Sequence, residues 1–163
     1  MAGVILITMD YIEAASEGHT NNLSLYGNLG WNVLKNSNIS LFGRSDNHKQ
    51  TGMNKTYKIN FNQLFNDLNL GVSYMTGIRN PTIYEMFGTD NFGYSGNKNL
   101  QPEKSNNYEL YSNIVLNENL NLSSRAFKAN IQNHIEYIDN QYRNNTDNVD
   151  LHQSGLINQI NIN

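Results

Sequence analysis

The sequence predicts an all-β protein, an antiparallel transmembrane β-barrel wall of about eight strands, and three observations lead there. Apolar and polar residues alternate with period two in segment after segment, which marks a sheet with one wet and one dry face. The connections between these segments are alternately short and long, as in outer-membrane barrels, whose long loops face outward. Aromatic residues recur near both ends of the apolar face, where a lipid-facing wall carries its interfacial girdles.

From Asn22 to Val33 one face carries Leu23, Leu25, Gly27, Leu29, Trp31 and Val33, and the other Asn22, Ser24, Tyr26, Asn28, Gly30 and Asn32. The next segment sets Ile39, Leu41 and Gly43 against Asn38, Ser40, Phe42 and Arg44. Tyr57, Ile59 and Phe61 then oppose Thr56, Lys58, Asn60 and Asn62, and Leu68, Leu70, Val72 and Tyr74 oppose Asn69, Gly71, Ser73 and Met75. In the last clear segment Tyr108, Leu110, Ile114 and Leu116 face away from Asn107, Glu109, Tyr111 and Asn113.

Short turns are expected at KNSN before Ile39, QLFND before Leu68 and NEN before Leu120. Longer connections are expected over Ser45 to Asn54 and over Gly77 to Lys104. With the long loops outside, Tyr57, Tyr74 and Tyr108 fall near the outer ends of their strands and Trp31 and Phe61 near the short-turn end. A soluble antiparallel sandwich would alternate too, its aromatics filling a core. The Asn, Ser, Thr and Lys on successive polar faces suit a wet or plugged lumen better than a dry interior.

Composition narrows the functional classes. Hydrophobic residues make up 38% of the chain and charged residues only 15%, so uncharged groups supply the polarity, above all asparagine at about a fifth of the residues. The net charge of −3 and the scatter of the 11 basic residues leave no electrostatic footprint for nucleic acid. With no cysteine there is no disulfide or thiolate metal site. The longest apolar run, Ala2 to Met9, is too short for a membrane-spanning helix, and it lacks the basic lead-in of a secretory signal. His19, His48, His134 and His152 have no metal-ligand spacing, and DNFGYSGNKN (Asp90 to Asn99) lacks the terminal glutamate of a calcium loop and the Gly-Lys-Ser/Thr of a phosphate loop. No grouping of Ser, His and Asp argues for catalysis, and no cofactor is implied.

Two prolines punctuate the chain. Pro81 and Pro102 bias Asn80 and Gln101 to extended geometry and mark where sheet pairing stops and restarts. Glu103 beside Lys104 reads as a solvated pair of little energetic weight. Between the prolines Phe87, Gly88, Phe92, Gly93, Tyr94 and Gly96 allow tight reversals and expose rings.

Four stretches together carry a family resemblance: GIRNPTIYEMFG (Gly77 to Gly88), YSGNKNLQPEKSNNYEL (Tyr94 to Leu110), RAFKANIQNHIEY (Arg125 to Tyr137) and YRNN (Tyr142 to Asn145). In order and spacing this resembles the barrel of TonB-dependent receptors, in particular the cobalamin-transporter branch, over Ser40 to Asn145, fading towards both ends. The resemblance implies that residues 1–163 are part of a larger 22-stranded barrel, without its plug domain or TonB-contacting segment. It implies an outer-membrane active transporter for cobalamin or a metal chelate, with lipid, plug and the TonB complex as partners.

Within that reading the external loop offers Asn80, Tyr84, Phe92 and Tyr94 as ligand contacts. Lys58, Arg79 and Glu109 are expected to face the lumen and plug, while the Pro-Glu-Lys-Ser run restarts a strand. The other reading of the alternation is a small, self-closed eight-stranded barrel with a structural or adhesive role.

Overall fold

A computed structural model describes residues 2–13, 16–49, 51–145 and 151–162, with side chains over 24–49, 51–145 and 153–161. Among the described residues ten strands and one short helix succeed one another: β1 (Ala2–Glu13), β2 (Ser16–Leu34), β3 (Ser37–His48), β4 (Gly52–Phe65), β5 (Leu68–Arg79), α1 (Ile83–Phe87), β6 (Glu103–Asn117), β7 (Leu120–Gln132), β8 (Ile135–Ile138), β9 (Gln141–Asn144) and β10 (Leu151–Ile162). Eight of them form one antiparallel sheet in the order β1-β2-β3-β4-β5-β6-β7-β10, and β8 and β9 form a separate hairpin.

The alternation read from the sequence sets the two faces. Register pairs Leu29 with Leu41, Leu41 with Ile59, Phe61 with Val72 and Val72 with Leu110, so one convex face is apolar from β2 to β6. That face is open: Leu29 is 60% exposed, Trp31 48%, Val72 50% and Leu110 59%. No second layer packs on it among the described residues, which excludes the sandwich. Such a face needs hydrocarbon, and a β-sheet meets that need because its backbone groups are satisfied between strands.

Tyr57, Tyr74 and Tyr108 form a continuous aromatic run, with ring centroids 5.8 and 5.0 Å apart, on the side of the sheet nearer the long loops. Trp31 lies towards the opposite end, three residues before β2 stops at Leu34.

Two-residue turns close the hairpins at the other end. Lys35 and Asn36 join β2 to β3, Asn66 and Asp67 join β4 to β5, and Glu118 and Asn119 join β6 to β7. Asn36 and Asn66 have positive φ, 63° and 46°, a region asparagine tolerates better than most residues.

Three expectations are corrected. Ser45 to Asn54 is not a long loop: β3 and β4 pair out to His48 and Gly52, so the hairpin stands beyond the aromatic run. The sequence there alternates too weakly to signal a strand that has left the lipid. The longest connection is also shorter than predicted, residues 80–102, because β5 continues to Arg79 and β6 starts at Glu103, paired with each other. Lastly, the eight strands do not close on themselves: β1 and β10 are the outer strands of an open sheet, against the self-closed barrel. Regular strands also reach further towards both ends of the chain than the motifs did, through β1 and β10.

Candidate functional site

Two outer connections fold together into a cap. Residues 80–102 leave β5, and the β8–β9 hairpin stands between β7 and β10 on the same side of the sheet. Pro81 precedes α1, whose first turn is fixed by a reciprocal capping box. Thr82 Oγ1 accepts from the Glu85 amide at 3.1 Å, and Glu85 Oε2 accepts from the Thr82 amide at 2.6 Å. The Thr-x-x-Glu spacing is a recognised helix start that stands in the sequence between two stretches of β alternation.

At the loop tip Asp90 Oδ1 accepts from the Phe92 and Tyr94 amides at 2.8 and 2.9 Å. Gly93 supplies the left-handed φ of 97° that this reversal requires. Asp90 is thus a turn-former, and the reversal leaves Phe92 90% exposed.

The buried hydrophobic residues of the described chain lie in this cap. Met86, Leu100 and Ile135 form one cluster, with Phe87 and Tyr142 packed against it. Tyr94 is 4% exposed. Its ring stacks on Tyr84 at 4.8 Å and meets Tyr142 edge-on at 5.8 Å, and its hydroxyl donates to the Tyr84 carbonyl at 2.5 Å. Burial pushes that hydroxyl's pKa up to about 12, so it stays a donor at any physiological pH. Asparagines fasten the hairpin to the loop: Asn97 Nδ2 donates to Tyr142 O at 3.0 Å. Asn144 takes the Gln101 amide at 2.7 Å and returns Nδ2 to Gln101 O at 2.9 Å.

An ionic cluster joins the cap to the sheet. Glu103 accepts from Arg79 Nε at 2.7 Å, Arg79 Nη2 at 3.0 Å and the Ile135 amide at 2.8 Å, and His134 Nδ1 lies 3.0 Å away. Arg79 Nη1 also reaches Glu85 at 3.1 Å. The Arg79 guanidinium is the main reason the Glu103 carboxyl is held at about 2, and the Ile135 amide adds to it. Glu103 is therefore not the solvated partner of Lys104 that adjacency suggested.

The concave face carries the polar residues. A hollow of about 770 Å³ is lined by Asn28, Lys58, Asn60, Glu109, Tyr111 and Arg125, among others. Arg125 Nε lies 3.6 Å from Glu109. The Tyr111 ring lies over Gly71, its cross-strand partner, and its hydroxyl is 3.3 Å from both Asn60 Oδ1 and Asn62 Oδ1. Nearer the rim Arg44 grips Asp46 with both Nε and Nη2, at 2.8 to 2.9 Å.

The predicted residues thus fall into separate groups. Lys58 and Glu109 share the concave hollow, whereas Arg79 sits at the rim between Glu85 and Glu103. Tyr84 and Phe92 are exposed on the cap and Tyr94 is packed behind Tyr84. Asn80 accepts from Thr51 Oγ1 at 2.9 Å, tying the loop's start to the β3–β4 turn. Sequence reasoning missed His134, Tyr137 and Tyr142, whose partners are distant in the chain.

Comparison with solved structures gives the same architecture. The siderophore receptor PirA from Acinetobacter baumannii is 18% identical with a TM-score of 0.73, covering 88% of this chain and 26% of that one. PirA from Pseudomonas aeruginosa is 17% identical with a TM-score of 0.74, covering 91% and 29%. A variant of the ferric enterobactin receptor from Pseudomonas aeruginosa, in complex with enterobactin, is 17% identical with a TM-score of 0.66, covering 87% and 24%. This chain therefore spans about a quarter of the length of these receptors. The sequence profile described as TonB dependent receptor-like, beta-barrel matches residues 8–161. With almost the whole chain matched and an open antiparallel wall of the corresponding shape, this chain belongs to the TonB-dependent receptor β-barrel family.

Proposed function

We propose that this chain forms part of the barrel of an outer-membrane active transporter that takes up cobalamin or a metal chelate, with a plug domain and the TonB complex as partners in the whole protein. The observation that carries the reading is the cap. Loop 80–102 and the β8–β9 hairpin are packed and hydrogen-bonded into one body that presents Tyr84 and Phe92 at the outer rim of a polar, concave wall. Exposed rings on a braced loop suit a small ligand, because less ordering entropy is lost on binding.

In this reading Tyr84 and Phe92 touch the ligand, Asn80 offers its amide beside them, and Tyr94 holds Tyr84 in place. Lys58 and Glu109 face the plug, and Arg79 braces the loop above it. The motifs resemble the cobalamin branch, whereas the solved relatives above are receptors for siderophores, so both ligand classes belong in the test. Full-length receptor is titrated with ferric enterobactin and, separately, with cyanocobalamin, alongside Tyr84→Ala and Phe92→Ala. The expected result is saturable binding of one ligand, weakened about tenfold or more by loss of an aromatic anchor. Binding of neither ligand, or unaltered affinity in both variants, would overturn the assignment.

A further inference from the structure

The longest connection is tied to the wall at its start. α1 packs against β2, and Asn80 Oδ1 accepts the Thr51 hydroxyl hydrogen at 2.9 Å. Next to this contact lies a patch that is buried yet polar, made of Ser24, Asp46, His48 and Asn54. Ser24 pairs across strands with Asp46, and Asp46 with Asn54, so these three share the concave face. His48, two residues beyond Asp46, lies on it as well.

Within the patch His48 is 8% exposed and stands at the root of a hydrogen-bond chain. The Thr51 amide donates to His48 Nδ1 at 3.4 Å, and Thr51 Oγ1 lies 3.1 Å from the same nitrogen. Asn54 Nδ2 donates to Thr51 Oγ1 at 3.3 Å, so the hydroxyl is held by the wall on one side and passes its hydrogen to Asn80 on the other. An Nδ1 that accepts from an amide carries a lone pair, so the imidazole in this chain of bonds is neutral, with its hydrogen on Nε2. A second proton, on Nδ1, takes the acceptor from the Thr51 amide and puts a charge where water scarcely reaches.

Among the described side chains the acid that faces His48 is Asp46, on the same strand. Arg44 grips that carboxylate with Nε and Nη2, and Ser24 donates to it as well. Thr51, Asn54 and Asn80 are uncharged, and β2 has no charged residue between Thr20 and Leu34. Lys49 is exposed, Lys55 takes a convex position, and Arg79 and Glu85 at the base of the loop are paired with each other. Burial accordingly pushes the His48 pKa below its ordinary 6.5, against the pull of Asp46.

We propose that His48, Thr51 and Asn80 form a proton-sensitive latch, which holds the loop 80–102 against the β3–β4 hairpin at neutral pH and releases it in mild acid. The latched form is the neutral imidazole, so the latch is complete above pH 6.5 and is lost as pH falls below that value. What it releases is the connection that carries α1, Tyr84 and Phe92. The latch belongs to the loop and the wall, so it stands whichever ligand the whole receptor takes up.

The test follows amide protection factors in full-length, ligand-free receptor from about pH 7.5 to about pH 5.5. Glu103, held at about 2, does not titrate in this range. Protection at Thr51 and at the α1 amides of Met86 and Gly88 should fall, by no more than about tenfold per pH unit, the limit for a single proton. Amides of β5 and β6 should keep theirs. His48→Gln retains an acceptor oxygen but does not titrate, so its protection should be flat over the same range. Thr51→Val removes the hydroxyl link, so Met86 and Gly88 should already be weakly protected at neutral pH and show no further fall. Constant protection at Thr51 in the wild type, an equal fall in His48→Gln, or a fall at Met86 that survives in Thr51→Val would each rule the latch out.

Discussion

Replacing Glu103 by Gln should release the cap from the sheet while leaving the sheet intact. The carboxylate meets two Arg79 nitrogens, the Ile135 amide and His134 within 2.7 to 3.0 Å. An amide keeps one acceptor oxygen and turns an NH2 towards donors, so either the arginine contact or the Ile135 contact is lost. Arg79 is 43% exposed along its side chain, so water compensates much of its loss, and a screened pair is worth about 0–1 kcal/mol. The amide of Ile135, a residue 6% exposed, has less access to water, and an unsatisfied buried donor costs about 1–3 kcal/mol.

Loss of the Ile135 contact therefore gives about 2 kcal/mol, a rise of about thirtyfold in cap opening. Amide hydrogen exchange in full-length receptor measures this at Ile135 and Gln101, whose bonds tie the hairpin to the sheet and to the loop. Protection in β5 and β6 should not change. Unaltered exchange at Ile135 and Gln101, or uniform loss across the barrel, would show that Glu103 is not the fastening point.

The same cluster predicts an acid dependence: with the Glu103 carboxyl held at about 2 against an ordinary 4.5, its contribution is complete above pH 4.5 and is lost as pH falls towards 2. Protection factors in the cap, which divide out the intrinsic pH dependence of amide exchange, should fall over that interval. Gly71→Ala places a Cβ 2.0 Å from the Tyr111 ring, so the ring must swing off the wall, at about 1–3 kcal/mol. A lowered unfolding midpoint, restored in part when Tyr111 is also made Ser, would establish the close packing. Leu100→Ala removes a residue 3% exposed from the cap cluster and should cost about 2–5 kcal/mol locally, read as faster proteolytic nicking within residues 80–102 with the barrel's melting temperature unchanged. Arg79→Glu sets a third carboxylate against Glu85 and Glu103, so nicking should accelerate there as well, and uptake should fall if the cap carries ligand.

The local order of this chain was legible because a barrel wall is a one-dimensional pattern. A strand with one side in lipid and one in water must alternate, and Leu23 to Trp31 or Tyr108 to Leu116 cannot alternate that way in any other common element. The short turns were readable for the same reason, since two-residue connections fall where alternation breaks at Asn, Asp and Glu. Where strands leave the lipid that constraint ends: in this hairpin the buried side chains are polar, Asp46, His48 and Asn54, so no apolar face marks the strands and a paired hairpin looked like a loop.

The sequence by itself determined the class of fold, the two faces of the sheet, the end that carries the longest loop and, through its motifs, the family. Tertiary structure alone decided what the loop is. Glu103 meets Arg79, 24 residues earlier, and the Ile135 amide, 32 residues later, and Tyr94 packs on Tyr142 across the hairpin. Such contacts leave no period in the sequence, because they depend on two connections being brought side by side by the strands beneath them. Adjacency paired Glu103 with Lys104, but a strand turns neighbouring side chains to opposite faces, and that geometry sends Glu103 to the cap and Lys104 towards the lipid.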